Sequence, residues 1–180
     1  MFRISRSLSV AAVGGLLLIA AVTPTVEAQV AVGATPALGI YSGEFGFEAQ
    51  AHADWRPPFL AGLVPDVLLS GLAGVSRVET QNEDDANVVI LGFLGAIGVH
   101  YEFIVGRVEL RPGIYGGIQV STFDGIDADN ETVALVAPHG EVAFPVFPNI
   151  TAGLYVASKL LFYDALEASV TIGPRIRYRF

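Results

Sequence analysis

The chain has 180 residues, of which 52% are hydrophobic, and it carries a formal net charge of −8 at pH 7. This length fits a single domain, and the acidic balance excludes a cationic face for nucleic-acid phosphates. The sequence contains no cysteine, which excludes a disulfide framework and thiolate metal sites.

The first 28 residues are predicted to form a secretory signal peptide that is cleaved from the mature protein. A short segment with two arginines precedes the apolar stretch 8–22, and the small residues Val26 and Ala28 suit a signal peptidase that cleaves after Ala28. The apolar stretch is short for a spanning helix and Pro24 follows it, which disfavours a retained anchor. The mature domain is therefore residues 29–180.

The mature domain has the hydropathy of a membrane protein but no candidate for a spanning helix. Its strongly apolar uncharged stretches, such as 67–76 and 88–99, fall well below the roughly 18 residues that a spanning helix needs. An apolar chain without such a helix indicates a β-barrel.

Period-two alternation of apolar and polar residues runs through most of the mature domain. A transmembrane strand requires it, because one face meets lipid and the other meets the barrel interior. The alternation is clearest in 44–55, where Phe45 and Phe47 alternate with Glu44 and Glu48. The predicted strands, in chain order, are 30–40, 44–55, 67–78, 89–103, 107–122, 132–144, 150–162 and 166–180.

This even number of strands predicts an all-β fold: an eight-stranded antiparallel transmembrane β-barrel with an up-and-down meander. With both termini in the periplasm, the connections 41–43, 79–87, 123–131 and 163–165 lie outside. The connections 56–66, 104–106 and 145–149 are then periplasmic turns. The third strand, 67–78, has no clear phase. A soluble barrel of the lipocalin type, with apolar side chains inside, is the competing fold.

Charged residues on the seven strands of clear phase fall on inward positions alone. A charge at the midplane of the lipid face would cost about 2–4 kcal/mol. The seven inward acids are Glu44, Glu48, Asp54, Glu102, Glu109, Glu141 and Glu167, and the six inward bases are Arg107, Arg111, Lys159, Arg175, Arg177 and Arg179. An eight-stranded barrel is narrow enough for its own side chains to fill. We therefore predict that these charges, with His52 and His139, form a polar network that plugs the lumen.

The three histidines do not predict a metal site. His52, His100 and His139 occupy inward positions on three different strands, and the strand pattern places them at different heights. No serine accompanies a histidine in a local catalytic motif, so we predict no enzyme activity, no cofactor and no metal.

Two of the predicted outer loops are strongly acidic. Asp127, Asp129 and Glu131 have the spacing of oxygen ligands for calcium. No loop of the EF type with its glycine is present, which favours a solvated acidic loop instead.

Three prolines interrupt predicted strands. Pro112, Pro138 and Pro174 all fall on lipid-facing positions, although a closed barrel has no free edge where a missing N–H is harmless. We predict a β-bulge at each.

The C-terminal sequence Ile176-Arg177-Tyr178-Arg179-Phe180 resembles that of small outer-membrane barrels of the OmpA/OmpX type. The resemblance implies that Ile176, Tyr178 and Phe180 form an assembly signal read by the barrel-assembly machinery. It covers the mature chain as architecture only, and the OmpA-like periplasmic domain is missing.

The sequence therefore predicts a monomeric outer-membrane barrel with a structural or surface-interaction role. Its expected partners are outer-membrane lipid and, during biogenesis, the barrel-assembly machinery. A narrow porin-like channel or a ligand-binding transport barrel is the alternative, and a barrel-embedded enzyme is a third.

Overall fold

A computed structural model describes residues 29–41, 43–58, 66–81, 87–124, 129–163 and 166–180. The predicted signal peptide, 1–28, lies outside the described residues. The strands are β1 Gln29–Tyr41, β2 Glu44–Arg56, β3 Asp66–Gln81, β4 Asn87–Val105, β5 Val108–Asp124, β6 Glu131–Phe147, β7 Ile150–Phe162 and β8 Leu166–Arg179.

Each strand pairs antiparallel with the next, and β1 pairs with β8 to close the barrel. This confirms the predicted eight-stranded antiparallel meander. Closure gives every strand a neighbour on both sides, so the sheet has no free edge. Following the predicted orientation, the end at which β1 begins and β8 ends is called the periplasmic end and the opposite one the outer end. Among the described residues, no helix has both the length and the apolar character needed to cross a membrane.

The β4–β5 turn corrects one predicted inward residue. The sequence predicted a turn at 104–106 with Arg107 starting the next strand, but Val105 pairs with Val108 and the turn consists of Gly106 and Arg107. A two-residue hairpin turn requires positive φ, and Gly106 supplies it at 65°. Arg107 is consequently exposed in the turn and does not enter the lumen.

The structure defines the phase of β3, which the sequence left open. Leu68 and Ser70 are buried inside the barrel, whereas Leu69 and Val75 are exposed on its outer surface. Apolar residues thus occupy both faces of this strand, which hides the alternation. Near its outer end, Arg77 is exposed on the outward face and pairs with Glu79 at 2.6 Å.

The prediction of bulges at three prolines was wrong. Pro112, Pro138 and Pro174 are exposed on the outer surface as expected, but the strands keep the same register on both sides of each. Among the described strand pairs, the register shifts instead between Pro145 and Phe147 of β6. At each of the three prolines, two or three backbone pairs are missing between the proline's strand and one of its two neighbours. The interrupted pairs of strands are β4–β5 at Pro112, β6–β7 at Pro138 and β1–β8 at Pro174.

The outward apolar surface predicts a position-dependent penalty for charge. Ile97 lies near the middle of β4 and is 77% exposed, whereas Val105 ends the same strand and is 64% exposed. We expect Ile97→Lys to lower the free energy of unfolding by about 2–4 kcal/mol and Val105→Lys by about 0–1 kcal/mol. Urea unfolding in lipid vesicles measures both, with Ile97→Ala to correct for lost apolar area. Equal losses for the two lysines would contradict a lipid-facing β4.

Candidate functional site: the lumen charge network

Basic side chains occupy the interior of the barrel at very low exposure. Arg111 and Lys159 are 1% exposed, and Arg175 and Arg177 are 2% exposed. Each lies on an inward position of β5, β7 or β8, where strand alternation directs the side chain into the lumen. Buried cations at this density require nearby carboxylates, because an unpaired charge removed from water costs several kcal/mol.

Glu141 on β6 is the carboxylate shared by three of these arginines. It accepts hydrogen bonds from Arg111 Nη1 at 3.1 Å, from Arg175 Nη1 at 3.4 Å and from Arg177 Nη2. Because Arg111 lies on β5 while Arg175 and Arg177 lie on β8, a single carboxylate connects strands that are not neighbours in the barrel wall.

The network continues to the periplasmic end through Glu102 and Glu109. Glu102 accepts from Arg111 Nε at 2.6 Å and from Arg56 Nη2 at 2.9 Å. Glu109 contacts Arg111 and lies 2.7 Å from Arg179 Nη2. Arg111 is therefore in contact with three carboxylates, those of Glu102, Glu109 and Glu141.

Glu48 on β2 continues the polar contacts toward the outer end. Its carboxylate accepts from Lys159 Nζ, from Tyr41 Oη at 2.7 Å, from Thr171 Oγ1 at 3.0 Å and from Gln50 Nε2 at 2.8 Å. Polar contacts thus follow the lumen along most of its length, and the three largest fully buried side chains, Arg111, Arg175 and Arg177, are ion-paired.

The interior is not polar throughout. From the middle of the barrel toward its outer end, the lumen side of β3 to β7 holds an apolar cluster: Leu72, Leu94, Ala96, Tyr115, Val133, Leu135, Ala137 and Leu161. Tyr163, just beyond β7, packs against it, and burial raises the pKa of its hydroxyl group. The lumen is therefore filled by hydrocarbon side chains in part of its outer half, beside the Glu48–Lys159 pair, and by charge pairs toward the periplasmic end.

The histidines lie closer together than the sequence predicted. His100 and His139 both pair with Gly113 of β5, from opposite sides. Because glycine has no side chain, the two imidazole rings approach to 5.9 Å between centroids. The ring of His139 also stacks on Tyr115 at 4.4 Å. The prediction of separate heights was therefore wrong for this pair.

Asp54 lies between the rings of His52 and His100. His52 Nε2 and His100 Nε2 each lie 3.9 Å from an Asp54 oxygen. Both ring nitrogens of His52 and Nε2 of His100 are buried without a hydrogen-bond partner in the protein. No group of three or more His, Asp or Glu side chains in the described part of the chain is arranged to hold a metal ion.

The predicted network residues divide into a buried set and an exposed set, and Arg179 lies between the two with its side chain 32% exposed. Glu44, Arg107 and Glu167 are exposed at strand ends or in a turn, so they do not belong to the buried network. The structure buries the following predicted residues in the lumen: Glu48, His52, Asp54, Glu102, Glu109, Arg111, His139, Glu141, Lys159, Arg175 and Arg177.

Neutral polar residues in the network were not predicted. Thr35, Gln50, Thr171 and Tyr155 all contact its charged groups. Arg175 lies over the Tyr155 ring at 3.7 Å from the centroid. Strand parity could have found these residues, because each occupies an inward position, but charge alone could not.

A large hollow is bordered mainly by outward-facing residues of the barrel wall, together with the buried Asp54, Ser70 and Tyr115. Its volume is about 940 Å³, and its outward-facing lining includes Trp55, Leu69, Ile97 and Ile114. A hollow of about 20 Å³ lies at the periplasmic end beside Asp54, Arg56 and Glu102, which is room for about one water molecule.

Because three arginines share the carboxylate of Glu141, we expect removal of its charge to lower the stability of the barrel strongly. Glu141→Gln leaves three buried guanidinium groups without this counter-charge, and we expect the free energy of unfolding to fall by about 3–5 kcal/mol. Glu44→Gln, at the exposed start of β2, is the matched control with a change of less than about 0.5 kcal/mol. Urea unfolding in vesicles measures both. A Glu141→Gln barrel as stable as the control would show that the charges are not coupled.

Solved structures that resemble this chain are small outer-membrane barrels, whereas no family model and no curated protein matches it. Neisserial surface protein A (NspA) is 14% identical with a TM-score of 0.60, over 85% of this chain and 97% of that chain. A major outer membrane protein from Thermus thermophilus is 14% identical with a TM-score of 0.60, over 86% of this chain and 100% of that chain.

Ail, the attachment invasion locus protein of Yersinia pestis, in complex with the heparin analogue sucrose octasulfate, is 13% identical with a TM-score of 0.54, over 85% of this chain and 97% of that one. At these identities the comparisons show the fold. They confirm the architectural resemblance to outer-membrane barrels of the OmpA/OmpX type, and the chain has the fold of a small eight-stranded transmembrane barrel.

Proposed function

We propose that the mature protein is a monomeric outer-membrane barrel with a closed lumen and a structural or surface-interaction role. The fold and its likeness to solved outer-membrane barrels support this location. The predicted signal peptide is consistent with export across the inner membrane. On this proposal, outer-membrane lipid is the main partner, and the C-terminal strand engages the barrel-assembly machinery during biogenesis.

The observation that carries the closed lumen is the pairing of Arg111 with three carboxylates at 1% exposure. A conducting pore keeps charged groups hydrated along a water-filled path. In this barrel the guanidinium is instead enclosed by protein. Breaking one contact would leave a desolvated charge, so the network resists opening.

A narrow channel is the second candidate, because polar contacts extend from Arg56 at the periplasmic end to Glu48 and Tyr41 near the outer end. Conduction along this route would require Arg111 and Arg175 to leave their carboxylates together. The apolar cluster beside the route offers no replacement partners for them.

A surface-interaction role would rest on the outer end, which is acidic. Exposed acids there include Glu44, Asp124, Asp129, Glu131 and Glu167. The Ail structure contains a sulfated heparin analogue. An acidic rim repels such polyanions, so we propose that this chain engages neutral or cationic surface groups instead.

An enzyme role is not part of the proposal. Ser70, His100 and Asp54 come nearest to a nucleophile with its base, with Ser70 Oγ at 3.1 Å from His100 Nδ1. The same hydroxyl donates to Asp54, however, and Ser70 is 5% exposed inside the lumen. Catalysis needs a nucleophile that substrate can reach, and this one is enclosed.

Conductance in planar bilayers tests the closed lumen. We expect the wild-type barrel to show no sustained openings, and Glu141→Ala to show brief or sustained openings because it frees Arg175 and Arg177 from their shared carboxylate. Glu44→Ala is the control and should stay silent. Sustained wild-type openings that disappear in Arg111→Gln would overturn the closed lumen and support the channel.

A further inference from the structure

The seam that closes the barrel contains two prolines directly opposite each other. Residues 31–34 of β1 pair with 176–179 of β8, and residues 38–41 pair with 169–172, in one continuous register. In that register Pro36 lies opposite Pro174, and the three positions between the paired stretches have no backbone pairing. Since proline has no N–H, neither strand can donate at this point.

A lumen arginine crosses the same gap from the inside. Arg175 lies opposite Thr35 in the seam register, and its Nε donates to Thr35 Oγ1 at 2.8 Å. Thr35 is fully buried and Arg175 is 2% exposed. Arg175 is itself held by Glu141 at 3.4 Å and by the ring of Tyr155. The side-chain bond therefore connects the two strands where the backbone ladder does not.

The same arrangement recurs at Pro112. Pairing between β4 and β5 lapses between His100–Gly113 and Phe103–Leu110. Within this gap Arg111 lies opposite Glu102 in the unchanged register, and its Nε donates to Glu102 Oε2 at 2.6 Å. In both gaps the arginine is the immediate chain neighbour of the proline, Arg111-Pro112 and Pro174-Arg175.

The gap at Pro138 provides a contrast within the same molecule. Pairing between β6 and β7 lapses between Val136–Leu160 and His139–Ala157. The inward residues facing each other there are Ala137 and Lys159, and Lys159 bonds instead to Glu48 of β2. Among the hydrogen bonds of the described side chains, none crosses this gap.

We propose that Arg111 and Arg175 act as clasps that close the barrel across its proline gaps. Prolines on the lipid face remove ladder donors in a medium that offers no replacement. An inward arginine one residue away restores a strand-to-strand hydrogen bond from the lumen side, and the carboxylates of the network hold it there. This role concerns how the wall is closed and stands whether or not the lumen conducts.

Amide hydrogen exchange in lipid nanodiscs tests the seam clasp. Thr35→Val removes the acceptor while keeping the side-chain shape, and we expect amides in 33–38 and 171–177 to exchange at least about tenfold faster. Thr35→Ser keeps the hydroxyl and should exchange like the wild type. Thr151→Val is the matched control, since Thr151 is a buried lumen threonine of β7 whose hydroxyl has no hydrogen-bond partner in the protein.

Restoring the backbone donors should make the clasp dispensable. In the Thr35→Val background, the added changes Pro36→Val and Pro174→Val return two N–H groups to the ladder, and exchange at the seam should slow again toward the wild-type rate. Unchanged exchange in Thr35→Val, or no relief from the proline replacements, would overturn the proposal.

The wild-type protein alone supplies a second test if a variant does not fold. Amides flanking the clasped gaps at Pro112 and Pro174 should exchange more slowly than those flanking the unclasped gap at Pro138. Equal or faster exchange at the clasped gaps would also overturn the proposal.

Discussion

Hydrocarbon offers no hydrogen-bond partner to a peptide group, and this constraint governs the whole molecule. A sheet can satisfy it only by closing on itself, which β1 and β8 accomplish here. Closure then gives each strand one face toward lipid and one toward the lumen. The exposed Phe47 and the buried Glu48, adjacent in β2, show how sharply the two environments differ over a single residue.

The lumen shows how a narrow barrel can be filled without a conventional apolar core. One part is filled by hydrocarbon side chains around Leu94 and Leu135, where packing suffices. The other is filled by charges, among which Glu141 serves Arg111, Arg175 and Arg177 together. Sharing one carboxylate makes these residues interdependent, because the loss of any partner leaves a buried charge unbalanced. Two of these arginines, Arg111 and Arg175, lie beside the prolines that weaken the wall, so filling and closure involve the same side chains.

Much of the architecture could be predicted because apolar residues alternate with polar ones wherever a strand has lipid on one face and the lumen on the other. In β2 and β8 the charges keep strictly to one parity, and the strand positions followed from that. The phase of β3 could not be predicted, since Leu68 and Leu69 are both apolar but face opposite ways. The contact between His100 and His139 depends on the register of both strands with Gly113, which periodicity does not contain. Arg107 was misplaced because a shift of the turn by one residue moves it out of the lumen.

Site-directed spin labelling along β8 tests the two-faced strand most directly. The chain has no cysteine, so single cysteines at successive positions from Ser169 to Tyr178 can each carry one label without background. Collision with oxygen, which is concentrated in hydrocarbon, should peak at Val170, Ile172, Pro174, Ile176 and Tyr178 and fall at the positions between them. A profile without period two, or one with its maxima at Thr171 and Arg175, would contradict a barrel whose apolar face meets lipid.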